Sequence, residues 1–215
     1  MIYILGAGAM GRETLGIYKA LGKFDQVAAF IEQNCDRVGR KIHGKEVMDA
    51  SVIETLRDDT SFVGAMGAPK RRRWIEEIEA RGFGFDTVIH PSATIDEFTA
   101  IGTGCIVCPG VVLTCDIKVG QHSIVNIGTT INHDCEIGSF VSIGPSVSIA
   151  GRVTIGDGCW ISVGTKIINR ISIGKGSLIA AGSVVTKDIP PGVLAVGVPA
   201  KPIREVSEID WRKVI

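Results

Sequence analysis

Residues 124–155 read "IVNIGTTINHDCEIGSFVSIGPSVSIAGRVTI". Ile131, Ile137, Ile143, Ile149 and Ile155 fall six apart within it. The series runs without a slip from Ile95 to Val185, and all sixteen positions hold Ile, Val or Leu. Two residues before each stands a small or β-branched side chain, such as Cys105, Ser123, Thr129, Cys135, Val147 or Ser183. A second period lies on top: Gly102, Gly120, Gly138, Gly156 and Gly174 are spaced by eighteen. Three hexads per superperiod predict a three-sided coil, each side one short strand and one corner. The aliphatic residue points inward and the small one fills the space beside it. Stacked coils then bury a continuous core, as in other solenoids. The recurrent glycine is expected to meet a backbone geometry that a Cβ penalises. About five coils fit between Ile95 and Val185. An ordinary β-sandwich would need strands and turns of irregular length, which this register excludes.

The bulk numbers narrow the function. Lys plus Arg and Asp plus Glu both count 23 in 215 residues, a net charge of zero. Nucleic-acid binding calls for a basic excess, so no nucleic-acid partner is expected. The basic run Lys70–Arg73 precedes Trp74-Ile75-Glu76-Glu77 and reads as the solvated start of a helix. The opening "MIYILGAGAM" lacks a basic region before its apolar run, so neither a signal peptide nor a membrane span is expected. Six cysteines without a secretory signal fit a reducing, cytoplasmic setting. Cys105 and Cys108 form a CxxC, but no second pair has zinc-like spacing, and no metal is expected.

Residues 1–90 follow a different rhythm. "IYILGAG", "QVAAFIE", "SFVGAMG" and "FDTVIH" read as strands. "GRETLGIYKALG", "DASVIETLR" and "KRRRWIEEIEARG" read as helices between them. This alternation predicts a small α/β, Rossmann-like half-domain with a mainly parallel sheet. Residues 91–186 form the coil, and 187–215 form a closing segment.

The hexads resemble those of the hexapeptide-repeat acyltransferases, which fold as left-handed parallel β-helices. The tail "VTKDIPPGVLAVGVPAKPI" is similar to the closing segment of that family. The α/β unit, the junction "HPSA" (His90–Ala93) and "NHDCEIG" make the chain similar to a narrower group. These are bacterial sugar acyltransferases of the sialic-acid O-acetyltransferase and bacillosamine-pathway N-acetyltransferase type. The resemblance implies a homotrimer with sites between adjacent chains, and acetyl-coenzyme A as co-substrate.

His133 lies two residues past the inward Ile131, hence at a corner and out of the core. It occupies the place where the family keeps its base. Acyl transfer from a thioester requires removal of a proton from the attacking amine or hydroxyl, which an imidazole does well near neutrality. Asp134 can orient the ring and stabilise the imidazolium, as a carboxylate does in hydrolytic triads. Relatives often carry the longer Glu there. The resemblance further implies that the backbone N–H of Gly151 faces the thioester as an oxyanion donor. It places Asn126 near the base, Ser142 where many relatives carry a second histidine, and the pantetheine arm along Val163 and Ala181. No cysteine is placed to form an acyl-enzyme, so direct transfer is expected. Some hexapeptide-repeat proteins are zinc carbonic anhydrases. Their sites use three histidines, and the repeats here hold only His122 and His133.

Gly6, Gly8 and Gly11 form a GxGxxG after a strand and before a helix, with Glu32 twenty-one residues after Gly11. Such a loop lets a phosphate approach N–H groups at a helix N-terminus. The resemblance implies that this unit holds the nucleotide of a sugar, usually uridine-based, through Gly8, Ala9, Met10, Gly11, Glu32, Gln33 and Gly67. Relatives often have Gly-His-Gly where this chain has Ala9-Met10-Gly11. An NAD-dependent oxidoreductase would need a catalytic residue near Gly8, and none stands there. The expected activity is acetyl transfer to the amino group of a nucleotide-linked amino sugar. The alternatives are O-acetylation of a sugar hydroxyl and a non-catalytic β-helix scaffold.

Overall fold

The computed structural model describes residues 1–33, 36–57, 59–66 and 70–206. Its contacts divide the chain into two units, Met1–Pro91 and Ser92–Ile215.

In the first unit, β1 (Ile2–Leu5) is central and pairs in parallel with β2 (Val27–Glu32) and β5 (Ser61–Gly64). These strands are apolar runs because both their faces are covered; Ile4, Leu5, Phe30, Ile31, Phe62 and Val63 are fully buried. Helix α1 (Ala9–Ala20) buries Leu15, Ile17 and Tyr18. A hairpin of β3 (Lys41–Ile42) and β4 (Lys45–Asp49) adds to one edge of the sheet, turning through His43 (φ 48°) and Gly44 (φ 85°). Two left-handed residues in succession make the tight turn that suits a twisted hairpin, a signal the sequence reading passed over. The helix expected over "DASVIETLR" is instead a short 3₁₀ segment, Ala50–Thr55. Asp49 caps it by accepting from the Ser51 N–H at 2.9 Å, but Leu56 is already extended.

α2 (Lys70–Glu79) and β6 (Gly84–Phe85) complete the sheet order β3-β4-β2-β1-β5-β6. The basic run on α2 is only partly solvated. Arg72 and Arg73 pair with Glu76 and Glu77 on the exposed face, each at 2.8 Å. Arg71 is 2% exposed and donates to the Met66 carbonyl at 3.0 Å. Of "FDTVIH", Phe85 ends β6 and Val88–Ile89 form the short β7.

The second unit is the coil. Sixteen two-residue strands, β8 (Thr94–Ile95) to β23 (Val184–Val185), stack in parallel on three faces. Face one holds β8, β11, β14, β17, β20 and β23. Face two holds β9, β12, β15, β18 and β21, and face three β10, β13, β16, β19 and β22. Register between coils is eighteen residues, as in Leu113↔Ile131 and Ile131↔Ile149. The inward aliphatics of the central coils are buried, among them Val125, Ile131 and Ile149. The polar partners two residues earlier do more than fill space. Ser123 Oγ donates to Gly138 O (2.8 Å), Thr129 Oγ1 to Gly144 O (3.0 Å) and Cys135 Sγ to Ala150 O (3.2 Å), each fifteen residues ahead. A buried carbonyl at a corner needs such a donor.

Each corner has one column of left-handed residues. After face one these are Asp116, Asp134, Arg152 and Arg170, with φ between 57° and 62°. After face two, Gly104, His122, Phe140, Gly158 and Gly176 take the role. The column Gly102–Gly174 is not among them, which corrects the reason expected for it. A Cβ on Gly120 would stand 2.5 Å from the Gly138 carbonyl carbon, and on Gly156 2.6 Å from the Lys175 nitrogen. Those glycines are there because successive coils approach too closely for a side chain.

Residues 187–205 fall within the second unit. Ile189 bridges to Ile173. β24 (Val193–Gly197) extends face three from β22, and β25 (Ala200–Glu205) pairs back on β24.

Candidate active site

The corner after β14 (Thr130–Ile131) carries His133 and Asp134. The chain turns here because Asp134 adopts φ 59°, a region that short polar side chains enter more readily than most. Two backbone bonds tie the turn to its neighbours: Asp134 N–H donates to Cys115 O at 3.2 Å, and Arg152 N–H to His133 O at 2.9 Å. Both side chains point outward, about half exposed.

His133 Nδ1 lies 2.8 Å from Asp134 Oδ2. Arg152 Nε donates to the same oxygen at 3.3 Å. The hydrogen bond to His133, helped by Arg152, outweighs desolvation and holds the Asp134 carboxyl below the usual carboxylate range. An ionised carboxylate only accepts. The proton of the 2.8 Å bond therefore sits on Nδ1, and in the neutral ring Nε2 is left as the acceptor.

Gly151 lies one coil beyond His133, directly against the imidazole. A Cβ at Gly151 would fall 2.5 Å from Cε1 and 2.6 Å from Nε2 of that ring. His133, Asp134 and Gly151 are thus brought together, and Arg152 joins them. The sequence reading missed Arg152. Its signal was the spacing of eighteen from Asp134, the coil register itself.

The remaining expected residues stand elsewhere on the coil. Asn126, Val163 and Ala181 share the corner that follows face three. Asn126 is not left-handed; its Oδ1 accepts from the Ile127 N–H at 2.8 Å. Val163 is 51% exposed. Ser142 lies on β16 (Ser142–Ile143), paired with Ile124 and Trp160, and is buried. Within one chain, face one separates the corner of Asn126, Val163 and Ala181 from that of His133, and Ser142 lies on face three.

In the first unit, Gly8 is the N-cap of α1 with no side-chain cap, and no acidic residue stands in the first turn. Gly11 packs against the start of the loop, where a Cβ would collide with Gly6 O. Ala9 is exposed and Met10 half-buried. Glu32 reaches the loop itself: Oε1 accepts from the Ala7 N–H at 2.7 Å and lies 3.6 Å from Arg37 Nη1. Gln33 is exposed. Gly67 lies outside the described residues. Cys105 and Cys108 are buried free thiols. Among the described residues no group of three or more His, Cys, Asp and Glu could hold a metal ion. No helix among them is long and apolar enough to cross a membrane.

The chain thus joins a three-sided parallel coil to an exposed His-Asp pair on one corner, and comparison with known proteins places it among the acyltransferases. The bacterial transferase hexapeptide family (six repeats) matches residues 152–187, and the PglD N-terminal domain matches residues 1–78. A variant of perosamine N-acetyltransferase from Caulobacter crescentus, solved with CoA and GDP-perosamine, is 30% identical. The match covers 95% of this chain and 97% of that one, with a TM-score of 0.89. The acetyltransferase domain of PglB from Neisseria gonorrhoeae, in complex with acetyl coenzyme A, is 30% identical over 94% of this chain and 98% of that one (TM-score 0.88). WeeI from Acinetobacter baumannii is 28% identical over 94% and 99% (TM-score 0.86). No curated protein matches the chain. The chain belongs to the hexapeptide-repeat sugar acyltransferases, with a Rossmann-like N-terminal unit and a left-handed parallel β-helix. It is an acyltransferase of the sugar-acetylating kind.

Proposed function

We propose that the enzyme transfers an acetyl group from acetyl-coenzyme A to the amino group of a nucleotide-linked amino sugar. The observation that carries this reading is the His133–Asp134 pair seated on Gly151. His133 Nε2 takes the proton of the attacking amine while Nδ1–H donates to Asp134 Oδ2. Asp134 holds the ring and offsets the charge that forms on it. The Gly151 N–H donates to the thioester oxygen as it becomes an oxyanion. Coenzyme A then leaves as the thiol, with no acyl-enzyme. The relatives solved with CoA and GDP-perosamine, and with acetyl coenzyme A, support the choice of both substrates.

The N-terminal unit holds the nucleotide, with its diphosphate at the uncapped start of α1. The pantetheine arm runs past Val163 and Ala181. These sit on a different corner from His133, so a complete site draws on two neighbouring chains, and the enzyme is a homotrimer in the cytoplasm. Neither nucleic acid, membrane nor metal takes part.

The test is steady-state kinetics of wild type and His133→Ala with acetyl-CoA and UDP- and GDP-linked amino sugars. Removing the base lowers kcat by roughly 10²–10⁴-fold and leaves both Michaelis constants and the melting curve near wild type. Turnover near wild type at saturation would remove His133 from the mechanism. Acceptance of the deaminated, hydroxyl-bearing sugar in preference to the amine would establish O-acetylation instead.

A further inference from the structure

The Asp134 carboxylate serves two donors through one oxygen. Nδ1 of His133 stands 2.8 Å from Oδ2 and Nε of Arg152 stands 3.3 Å from the same atom. Arg152 is there by register. It follows Asp134 by eighteen residues, one full coil, and both are left-handed, at φ 59° and 61°. The two side chains therefore leave equivalent corner positions on consecutive coils, and the guanidinium reaches back along the corner to the carboxylate. We propose that Arg152 is a positioning residue of the catalytic corner: it fixes the Asp134 carboxylate against the imidazole and keeps the shared proton on Nδ1 of His133. This rests on the reading of His133 as the general base.

Two effects follow from the geometry. An aspartate carboxylate turns easily about its terminal torsion, and it is shorter than a glutamate. A second donor on the bonding oxygen restricts that rotation, so Nε2 is held at one angle above Gly151. The positive charge also favours the ionised form of the Asp134 carboxyl, the form that accepts from Nδ1. Other charges near the couple are few. Asp116 precedes Asp134 by one coil in the same column and Arg170 follows Arg152 by one. Glu136, next along the chain after the inward Cys135, is engaged with Lys118 at 3.4 Å. Asp134, Arg152 and His133 are each about half exposed, so the effect is modest. No proton passes to or from Arg152, and it touches neither substrate.

The experiment compares pH profiles of kcat and both Michaelis constants for wild type, Arg152→Gln, Arg152→Lys, Asp134→Asn and the double variant Arg152→Gln/Asp134→Asn, with His133→Ala as reference. Arg152→Gln lowers kcat about two- to fivefold, the scale of a half-exposed ion pair. Both Michaelis constants stay within about twofold, and the melting temperature stays near wild type. Arg152→Lys keeps a donor and the charge and recovers part of the lost kcat. In the Asp134→Asn background, Arg152→Gln has no further effect, as required when one residue acts through the other. An unchanged kcat in Arg152→Gln, with His133→Ala inactive, overturns this inference and leaves the base in place. A raised Michaelis constant for acetyl-CoA at unchanged kcat also overturns it, because Arg152 would then contact the coenzyme. Equal losses in the single and double variants relative to their parents overturn it too. If His133→Ala turns over normally, the base reading fails and this inference falls with it.

Discussion

The imidazole of His133 occupies the space that a side chain at residue 151 would fill. Only because that residue is glycine can the ring lie against the next coil, with Cε1 2.5 Å from where a Cβ would stand. Gly151→Ala keeps the backbone N–H but must push the ring aside. The neighbour is a side chain free to rotate, so the fold survives. Turnover is expected to fall about 10²-fold, the cost of misplacing a catalytic group by roughly 1 Å, with little change in melting temperature. Gly138→Ala makes the contrast. There a Cβ meets the backbone nitrogen of Asp157 at 2.7 Å, and stability falls by about 1–3 kcal/mol. Melting curves and kcat for the two variants check both expectations.

Asp134→Asn removes the charge and presents a side chain that can donate as well as accept. It is expected to lower kcat, by less than His133→Ala, because an orienting group contributes only through the base. Asp134→Glu restores the carboxylate that relatives often carry and should retain most of the activity. Single-turnover rates of the three variants at saturating substrates give the order.

The thiols report the coil's integrity. Cys135 and Cys159 are fully buried. Burial pushes the Cys159 thiol up to about 12 and raises Cys135 as well. Reactivity needs thiolate and access. Iodoacetamide at pH 8 should leave both unmodified in the native protein, label the half-buried Cys115 slowly, and label all of them in denaturant. Peptide mass spectrometry distinguishes the sites.

The first unit has an alkaline weakness. The buried Tyr18 hydroxyl donates to Asp86 Oδ2 at 3.1 Å. Burial, with the charge and hydrogen bond of Asp86, raises its ionisation well above the ordinary tyrosine value. The native state thus holds the phenol proton where the unfolded chain, ionising near pH 10, gives it up. This contribution is whole below about pH 10 and shrinks above it, by up to about 1.4 kcal/mol per pH unit. Tyr18→Phe should lose some stability at pH 8 but be less sensitive than wild type between pH 10 and 11. Urea midpoints across that range measure the difference.

Much of this could be read from the chain alone, because a strict repeat is local information. An aliphatic side chain every sixth residue can be buried only if every sixth residue faces one axis, so the coil and its three faces followed from the series Ile95 to Val185. The same register put His133 two residues past Ile131, out of the core and beside Asp134. What stacks on what was decided by the tertiary structure. Arg152 meets Asp134, and Gly151 meets His133, only because successive coils superpose residues eighteen apart. The Gly102–Gly174 column likewise reflects the distance to the next coil, which no residue's own backbone preference encodes. Asn126, Val163 and Ala181 were legible as corner residues, but their corner is not that of His133. In the first unit, Asp49 favoured the capped 3₁₀ turn and His43-Gly44 the hairpin. There the sequence has no repeat, so a few strong turn residues outweigh a weak helical pattern, and the outcome depends on which edge of the sheet is open to receive them.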